Sequence, residues 1–225
     1  MLARELAPRF GKAAGSQVKP SDIDLTEWKE LVEIMLPLLK EAADEAATNA
    51  LATLSIDEAG MFDQVAALAL EWAKQRAAEM VGMKWVDGEL VDNPDPRWAI
   101  TDSTRDGLRD LISQAFEDGM GQADLEKEIV NSYLFSEQRA EMIARTEIAQ
   151  AHIQGTIKGW KVSDLVAGYS WILGSEHDVP DECDDNADSP MVELGKEFPS
   201  GDLGPPAHPN CICALSPVLK SEIGG

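Results

Sequence analysis

The segment Ser136–Lys161, SEQRAEMIARTEIAQAHIQGTIKGWK, is the most informative part of the sequence for predicting the fold. Ser136 is a residue type that favours the position before a helix, and it predicts the start of the longest helix in the second half of the chain, ending near Gly159 or Lys161. Helical patterns dominate the chain before this stretch, and strand patterns follow it. The sequence therefore predicts an α+β fold, with a mainly helical N-terminal body and a small β-containing C-terminal module.

Two further helices are predicted directly before this stretch. Thr101 or Asp102 is the predicted cap of the first, which runs to Gly119. Its apolar face consists of Leu108, Leu111, Ile112 and Phe116. The second covers Ala123–Tyr133, so helices are predicted across residues 101–161.

Helical signals also fill the first half of the chain. Ser21 and Asp24 form a predicted capping box before a run of apolar residues at helical spacing. Pro37 lies inside that run and predicts a kink or a break there. Ser55–Glu58 forms a second capping box, which opens a helix that ends near Gly82.

Residues 83–98 differ from the helical segments around them. Lys84–Val91 predicts either two short strands about an Asp-Gly turn or an irregular loop. Asn93–Pro96 then interrupts the chain and predicts an internal boundary. The predicted domains are an N-terminal arm at residues 1–20, a helical region at residues 21–98 and a C-terminal domain at residues 99–225.

The β-containing module is predicted at residues 162–218. Ala167–Leu173 is apolar and aromatic enough for a strand, and Met191–Leu194 and Ile212–Leu215 are predicted to pair with it. An acidic loop and the Pro-rich stretch Phe198–Pro209 lie between these strands.

The charge balance restricts the classes of partner. Forty-one acidic residues face nineteen basic ones, which gives a net charge of −22. Because affinity for nucleic acid comes largely from Lys and Arg displacing counterions, strong non-specific nucleic-acid binding is not expected. Partners are expected to be proteins with basic or apolar surfaces.

The expected compartment is reducing. The sequence has no run of about 18 apolar residues and no secretory pattern at its start, so we expect neither membrane insertion nor export. Under these conditions the three cysteines are expected to be free thiols or metal ligands.

The N-terminal arm carries a short amphipathic pattern. Leu2, Leu6 and Phe10 lie four residues apart, with basic residues between and beside them. Two interpretations stay open: a frayed terminus, or a basic docking peptide for a partner of this otherwise acidic chain.

Three blocks in the second half resemble one known family. Arg139–Glu147, RAEMIARTE, is similar to the family helix R-A-E-x-I-A-R-T-E, and Tyr169–Trp171 resembles the aromatic strand that follows it. Pro205–Cys213, PPAHPNCIC, resembles the closing signature P-P-x-H-P-N-C-R-C, with Ile212 in place of the usual Arg. The family is the phage Mu protein F family of minor head proteins, and the resemblance covers roughly residues 100–218. Many members also carry a Cys-x-x-Cys before the loop, where this chain has only Cys183.

The resemblance implies a structural role in a tailed bacteriophage. Members are low-copy head proteins linked to the portal and to head morphogenesis, and often thought to travel with the DNA. We therefore expect a protein of the virion head at the portal vertex, present in the host cytoplasm during assembly. The expected partners are the portal protein and the inner capsid or other head proteins. The family-motif residues expected to have structural roles are Arg139, Arg145, Thr146, Glu147, Trp171, Pro209 and Asn210.

One set of residues has the chemistry of a metal site. Four nitrogen or sulfur ligands in a closed set suit a tetrahedral structural zinc. The candidate ligands are Cys183, His208, Cys211 and Cys213. Two alternatives stay open: thiols packed as small hydrophobic groups in a Pro-rich turn, and a disulfide from Cys183 to Cys211 or Cys213 formed by oxidation outside the cell.

Other chemistry has weaker support in the sequence. In the acidic segment Glu176–Asp188, three residues match the first three ligand positions of an EF-hand loop: Asp184, Asn186 and Asp188. The sixth position of that loop is Ser189 instead of Gly and the twelfth is Gly195 instead of Glu, so a solvated acidic loop is favoured over a calcium site. No Ser-His-Asp set, phosphate-binding Gly loop or carboxylate pair stands out, so no catalytic residue is predicted. The competing hypotheses are a zinc-dependent hydrolase or toxin delivered on ejection, and an acidic inhibitor that mimics DNA.

Overall fold

The computed structural model of the chain describes residues 30–56, 59–118, 120, 122–175, 177 and 180–223. The helices in these residues are α1 Glu30–Thr53, α2 Ala59–Met80, α3 Ile100–Glu117, α4 Gln122–Asn131, α5 Glu137–Ser163, α6 Glu182–Asp188 and α7 Lys220–Ile223. The strands are β1 Met83–Val86, β2 Glu89–Asp92, β3 Val166–Ile172, β4 Val192–Glu193 and β5 Ala214–Leu219. This architecture confirms the predicted α+β class. None of the helices among these residues is both long and apolar enough to cross a membrane.

The chain divides into two compact units. Of the described residues, the first unit contains residues 30–33 and Arg76–Glu141, and the second contains Ile34–Gln75 and residues 142–223. Each unit is therefore assembled from segments that are distant in sequence. The domain boundaries predicted after residues 20 and 98 stay predictions.

A β-hairpin forms in the first unit around Lys84–Val91. For this segment the sequence predicted either two short strands or an irregular loop. β1 and β2 pair antiparallel, with Val86 opposite Glu89. Asp87 and Gly88 both have positive φ, at 50° and 84°, as a two-residue type I′ turn requires. The strand alternative is confirmed for this segment.

The helices of the first unit differ from prediction at their ends. α3 begins at Ile100, so Thr101 and Asp102 lie inside its first turn and the predicted cap was wrong. Leu108 is fully buried as expected, whereas the side chains of Ile112 and Phe116 lie outside the described ones. α4 ends at Asn131, and a 3₁₀ turn at Tyr133–Phe135 replaces its predicted last residues.

The long helix α5 begins where the sequence predicted. The hydroxyl of Ser136 accepts a hydrogen bond of 3.1 Å from the backbone N–H of Arg139, which satisfies a donor of the first turn. α5 then runs to Ser163, two residues beyond the predicted limit.

The guanidinium of Arg139 ties this helix start to its neighbours in the first unit. It is 8% exposed and donates to the carbonyl of Leu134 at 2.7 Å. Its second nitrogen donates to the hydroxyls of Ser103 at 2.9 Å and Thr104 at 3.1 Å. One buried cation thus joins α3, the 3₁₀ turn and α5.

Replacing Arg139 by Met is expected to lower the free energy of unfolding by about 3 kcal/mol, because its buried guanidinium makes three hydrogen bonds, one of them to the buried hydroxyl of Thr104, and all three are lost. Arg145→Met is the matched control on the same helix, since Arg145 is exposed and its loss should change the free energy by less than about 0.5 kcal/mol. Urea denaturation of both variants measures the difference. Equal effects of the two substitutions would contradict this role for Arg139.

In the second unit, α1 and α5 pack at backbone contact. Small residues make this approach feasible: a Cβ placed on Gly155 would lie 2.0 Å from the carbonyl oxygen of Ala43, and one on Gly159 would lie 2.5 Å from that of Ala47. Ala47 also packs in a buried cluster with Leu51 of α1 and Val65 of α2. The two helices therefore form one closely packed layer.

Some predictions for the first half concern residues outside the described ones. The capping box at Ser21 and Asp24 lies there, and so do two residues of the Ser55–Glu58 box. α1 continues through Pro37, so the predicted break does not occur. α2 ends at Met80, which confirms a helix end near Gly82.

The sheet of the second unit has the strand order β4-β3-β5, with both pairs antiparallel. This confirms the three predicted strands and their pairing. Tyr169 is fully buried, with its ring centroid 6.1 Å from that of Trp160 and 5.7 Å from that of Phe198. Trp171 meets Phe198 edge-on at 5.1 Å. This aromatic core supports the loops described next.

Candidate metal centre

The helix α6 carries Cys183 into the core. The carboxylate of Asp181 accepts a hydrogen bond of 2.8 Å from the Cys183 N–H, and the carboxylate of Asp184 accepts one of 2.8 Å from the Asp181 N–H. This reciprocal pair is a capping box, and it starts a seven-residue helix within the predicted acidic loop. The prediction of a solvated loop was therefore wrong for residues 182–188.

The same helix anchors the Pro-rich segment. Asn186 is fully buried; its amide nitrogen donates to the Ser200 hydroxyl at 2.9 Å, and its amide oxygen accepts from the Ser200 N–H at 3.0 Å. The Ser200 hydroxyl in turn donates to the buried carboxylate of Asp202 at 2.8 Å. Because Asn186 is engaged in this way, it is unavailable as a calcium ligand, which agrees with the poor EF-hand match.

The three cysteines of the predicted ligand set lie together. Cys183, Cys211 and Cys213 are free thiols, and their sulfur atoms all lie within 4.8 Å of one another. The Cys183 and Cys211 sulfurs are 3.7 Å apart, far longer than a disulfide bond of about 2.05 Å. Two thiolates on a tetrahedral zinc would be about 3.8 Å apart, given Zn–S bonds of about 2.3 Å. The distance suits a shared metal and also suits two packed thiols.

His208 joins this cluster from one side. The close group that contains it consists of Asp181, Cys183 and His208. Its Nε2 atom is buried, lies 3.1 Å from Asp181 Oδ2, and has no hydrogen-bond partner among the described residues. Its Nδ1 atom lies 3.0 Å from the carbonyl oxygen of Pro209, a position that suits an Nδ1–H donor.

The tautomer of His208 decides what its other nitrogen can do. If Nδ1 donates to the Pro209 carbonyl, Nε2 of a neutral imidazole carries a lone pair. That nitrogen faces a carboxylate oxygen of Asp181 at 3.1 Å, and either a proton on Nε2 or a metal ion would make this contact favourable. Metal-bound histidines commonly donate their second nitrogen to a backbone carbonyl. The position of His208 is therefore compatible with an ion pair to Asp181 and with a metal ligand.

The electrostatics of the thiols determine how metal binding here would depend on pH. Burial raises the pKa of the Cys183 thiol, and the neighbouring Cys211 and Cys213 raise it further. Burial also raises the pKa of the Cys211 thiol. Without a compensating cation these thiols hold their protons, so a metal must displace them and its affinity should increase with pH. Three thiolates and one further donor fill the four positions of a structural zinc site.

Two residues of this region, His177 and Asp181, were not predicted from the sequence. His177 Nε2 lies 2.9 Å from Asp184 Oδ2 and 3.8 Å from Asp181 Oδ1. The hydrogen bond from His177 lowers the pKa of the Asp184 carboxyl. The spacing Asp181-x-x-Asp184 is itself a capping-box signal, and it would have revealed the helix and the position of Asp181.

The helix block and the closing block of the predicted motifs meet through Thr146. Its hydroxyl donates to the Met142 carbonyl at 2.8 Å and accepts a 3.2 Å bond from the N–H of Asn210. Asn210 has a φ of 61°, the left-handed conformation that Asn tolerates better than most residues. This contact spans 64 positions in sequence.

The other motif residues divide by burial. Glu147 and Trp171 are each 3% exposed and belong to the interior of the second unit. Arg145 and Pro209 are exposed, and the carbonyl oxygen of Pro209 lies 3.0 Å from His208 Nδ1. Structural roles for these residues stay predictions.

Comparison with known proteins gives a family match for the second half of the chain. No curated protein and no solved structure matches it. The family model described as Phage Mu protein F like protein matches residues 106–216, a range that contains all three sequence blocks and the cysteine cluster. Residues 106–216 of the chain therefore match the phage Mu protein F-like family, and this match supports a Mu protein F-like phage protein.

Proposed function

We propose that this chain is a structural, non-enzymatic minor head protein of a tailed bacteriophage. The family match over residues 106–216 carries this proposal, since it fits a protein of phage head morphogenesis. We place the protein in the virion head at or near the portal, with a role in assembly and in DNA packaging or ejection. During assembly it is present in the host cytoplasm.

The contacts of the motif residues support a non-enzymatic role. Arg139 is held by a carbonyl and two hydroxyls, and Thr146 joins α5 to the closing block. These buried side chains stabilise the fold, whereas catalytic groups need access to a substrate. The motif is therefore best explained as the set of contacts that holds the family region together.

We assign a structural zinc to Cys183, Cys211 and Cys213, with His208 as the fourth ligand. The sulfur separation supports this assignment, and so does the position of His208 in a close group with Cys183 and Asp181. A hydrolase would instead need a zinc with an exchangeable water. The Cys211→His variant distinguishes a structural zinc from a catalytic one. Metal-dependent hydrolysis by that variant would favour the enzyme, whereas loss of the folded module without such activity would favour the structural site.

The partners proposed for this protein are the portal protein and the inner capsid or other head proteins. A net charge of −22 supports contact with basic or apolar protein surfaces and weighs against strong non-specific nucleic-acid binding. A DNA-mimic inhibitor would share this charge, but it would be absent from finished particles.

Counting copies of the chain in purified, DNA-filled particles tests the proposal. Quantitative mass spectrometry is expected to find from one to about a dozen copies per particle, as a position at a cyclic portal vertex allows. Absence would overturn the proposal and favour a transient assembly factor or an inhibitor. Hundreds of copies would also overturn it and indicate a capsid decoration protein.

A further inference from the structure

A groove follows one side of α1 in the second unit. Its apolar end, about 350 Å³, is formed by residues of α1 and α5 and by Pro217 of β5. The floor there includes Ala50 and Trp160, which are each 5% exposed, and Leu54. The α1 residues that line the groove and its continuation run from Lys40 to Thr53, about 20 Å at 1.5 Å per residue.

The other end of the groove is acidic. A second depression of about 550 Å³ continues along α1 and shares Glu45 and Asn49 with the first. Glu41 and Asp44 line it together with Glu45, against the single cation Lys40. In the described part of the chain, none of these three carboxylates has an ion-pair partner. The groove thus combines an apolar floor with unneutralised negative charge.

The chain itself contains a segment with the complementary pattern. Residues 1–12 lie outside the described residues, but their sequence includes three large apolar side chains that are four residues apart, with three basic side chains between and beside them. These are Leu2, Leu6 and Phe10, and Arg4, Arg9 and Lys12. As a helix, the segment from Leu2 to Lys12 would span about 15 Å, which is shorter than the groove.

We infer that the groove along α1 binds the basic N-terminal arm, residues 1–12, of a second copy of this chain. The apolar side chains of the arm would lie on the Ala50 and Trp160 floor, and its basic side chains would face Glu41, Asp44 and Glu45. Such a contact is heterologous, so each copy offers an arm and a groove and copies join head to tail. The inference rests on the groove and the arm sequence and does not depend on the proposed role in the phage head.

A charge-swap experiment tests this contact with the full-length chain. The groove variant is Glu41→Lys, Asp44→Lys, Glu45→Lys, and the arm variant is Arg4→Glu, Arg9→Glu, Lys12→Glu. Sedimentation equilibrium is expected to show that the wild-type chain self-associates, and that this weakens with added salt. Each variant alone places like charges opposite one another, so its association should be at least about tenfold weaker. An equimolar mixture should associate again, because each swapped arm meets a groove of opposite charge.

The control variant changes the same number of charges elsewhere. Asp63→Lys, Glu89→Lys, Glu128→Lys alters three exposed acidic residues outside the groove and should associate like the wild type. Circular dichroism spectra that match the wild type establish that each variant is folded. A monomeric wild-type chain would overturn the inference, as would a mixture that fails to associate or a control as weak as the groove variant.

Discussion

Cys183→Ser is expected to remove the metal-dependent stability of the second unit. Serine is a poor zinc ligand, so the variant should lose the stabilisation that zinc gives to the folded state alone. At free zinc of about 1000 times Kd, that stabilisation is about 4 kcal/mol. Chemical denaturation with and without a zinc chelator measures it: the wild type should lose stability on chelation, and the variant should be insensitive.

Ala187→Ser is the control for this change. It adds a hydroxyl to the same helix α6, at a partly buried position that packs against the core without belonging to the metal cluster. Its stability should still fall when zinc is chelated. If chelation leaves the wild type unchanged and Cys183→Ser costs only about 1–3 kcal/mol, as an unsatisfied buried hydroxyl does, the thiols are packed groups and the metal assignment fails.

Gly155→Ala is expected to be the most destabilising Gly→Ala substitution in the second unit. The new Cβ would lie 2.0 Å from the carbonyl oxygen of Ala43 and 2.9 Å from its Cα, so the backbone of α1 must move away. Overpacking of this kind costs about 3 kcal/mol or more when the neighbour is backbone. In a chain of this length the melting temperature should fall by roughly 6–12 °C.

Gly60→Ala adds the same methyl group where there is space for it. Among the residues that the structure describes, no atom lies within 4 Å of a Cβ at Gly60, which is also in a helix. Its melting temperature should be unchanged or slightly higher, because alanine favours a helix more than glycine does. A similar loss in both variants would show that the α1–α5 contact is looser than described.

Local signals in the sequence were sufficient for the elements with strong periodicity or a specific turn. Ser136 predicted the start of α5, and the Asp87-Gly88 pair predicted a hairpin as one of two alternatives. The three strands of the C-terminal sheet were also predicted with their pairing. In each case the decisive residues are neighbours in sequence, so the pattern can be recognised without the fold.

The features that were missed depend on contacts between distant residues. Nothing near Gly155 indicates that the backbone of Ala43 will lie against it. The helix α6 was obscured by the high acidic content of its segment, although Asp181 and Asp184 form a recognisable capping box. For the candidate site, the four proposed ligands were named from the sequence, whereas the position of Asp181 beside Cys183 and His208 required the folded chain.

The metal content of the purified full-length chain tests the central structural claim most directly. Native mass spectrometry of protein produced with zinc in the medium should show one zinc ion per chain, and the same measurement on Cys183→Ser should show none. One zinc in the wild type and none in the variant is the predicted result. A wild-type chain that carries no zinc, with all three thiols still reactive toward a thiol reagent after unfolding, would contradict the claim that the closing signature of this family region forms a metal centre.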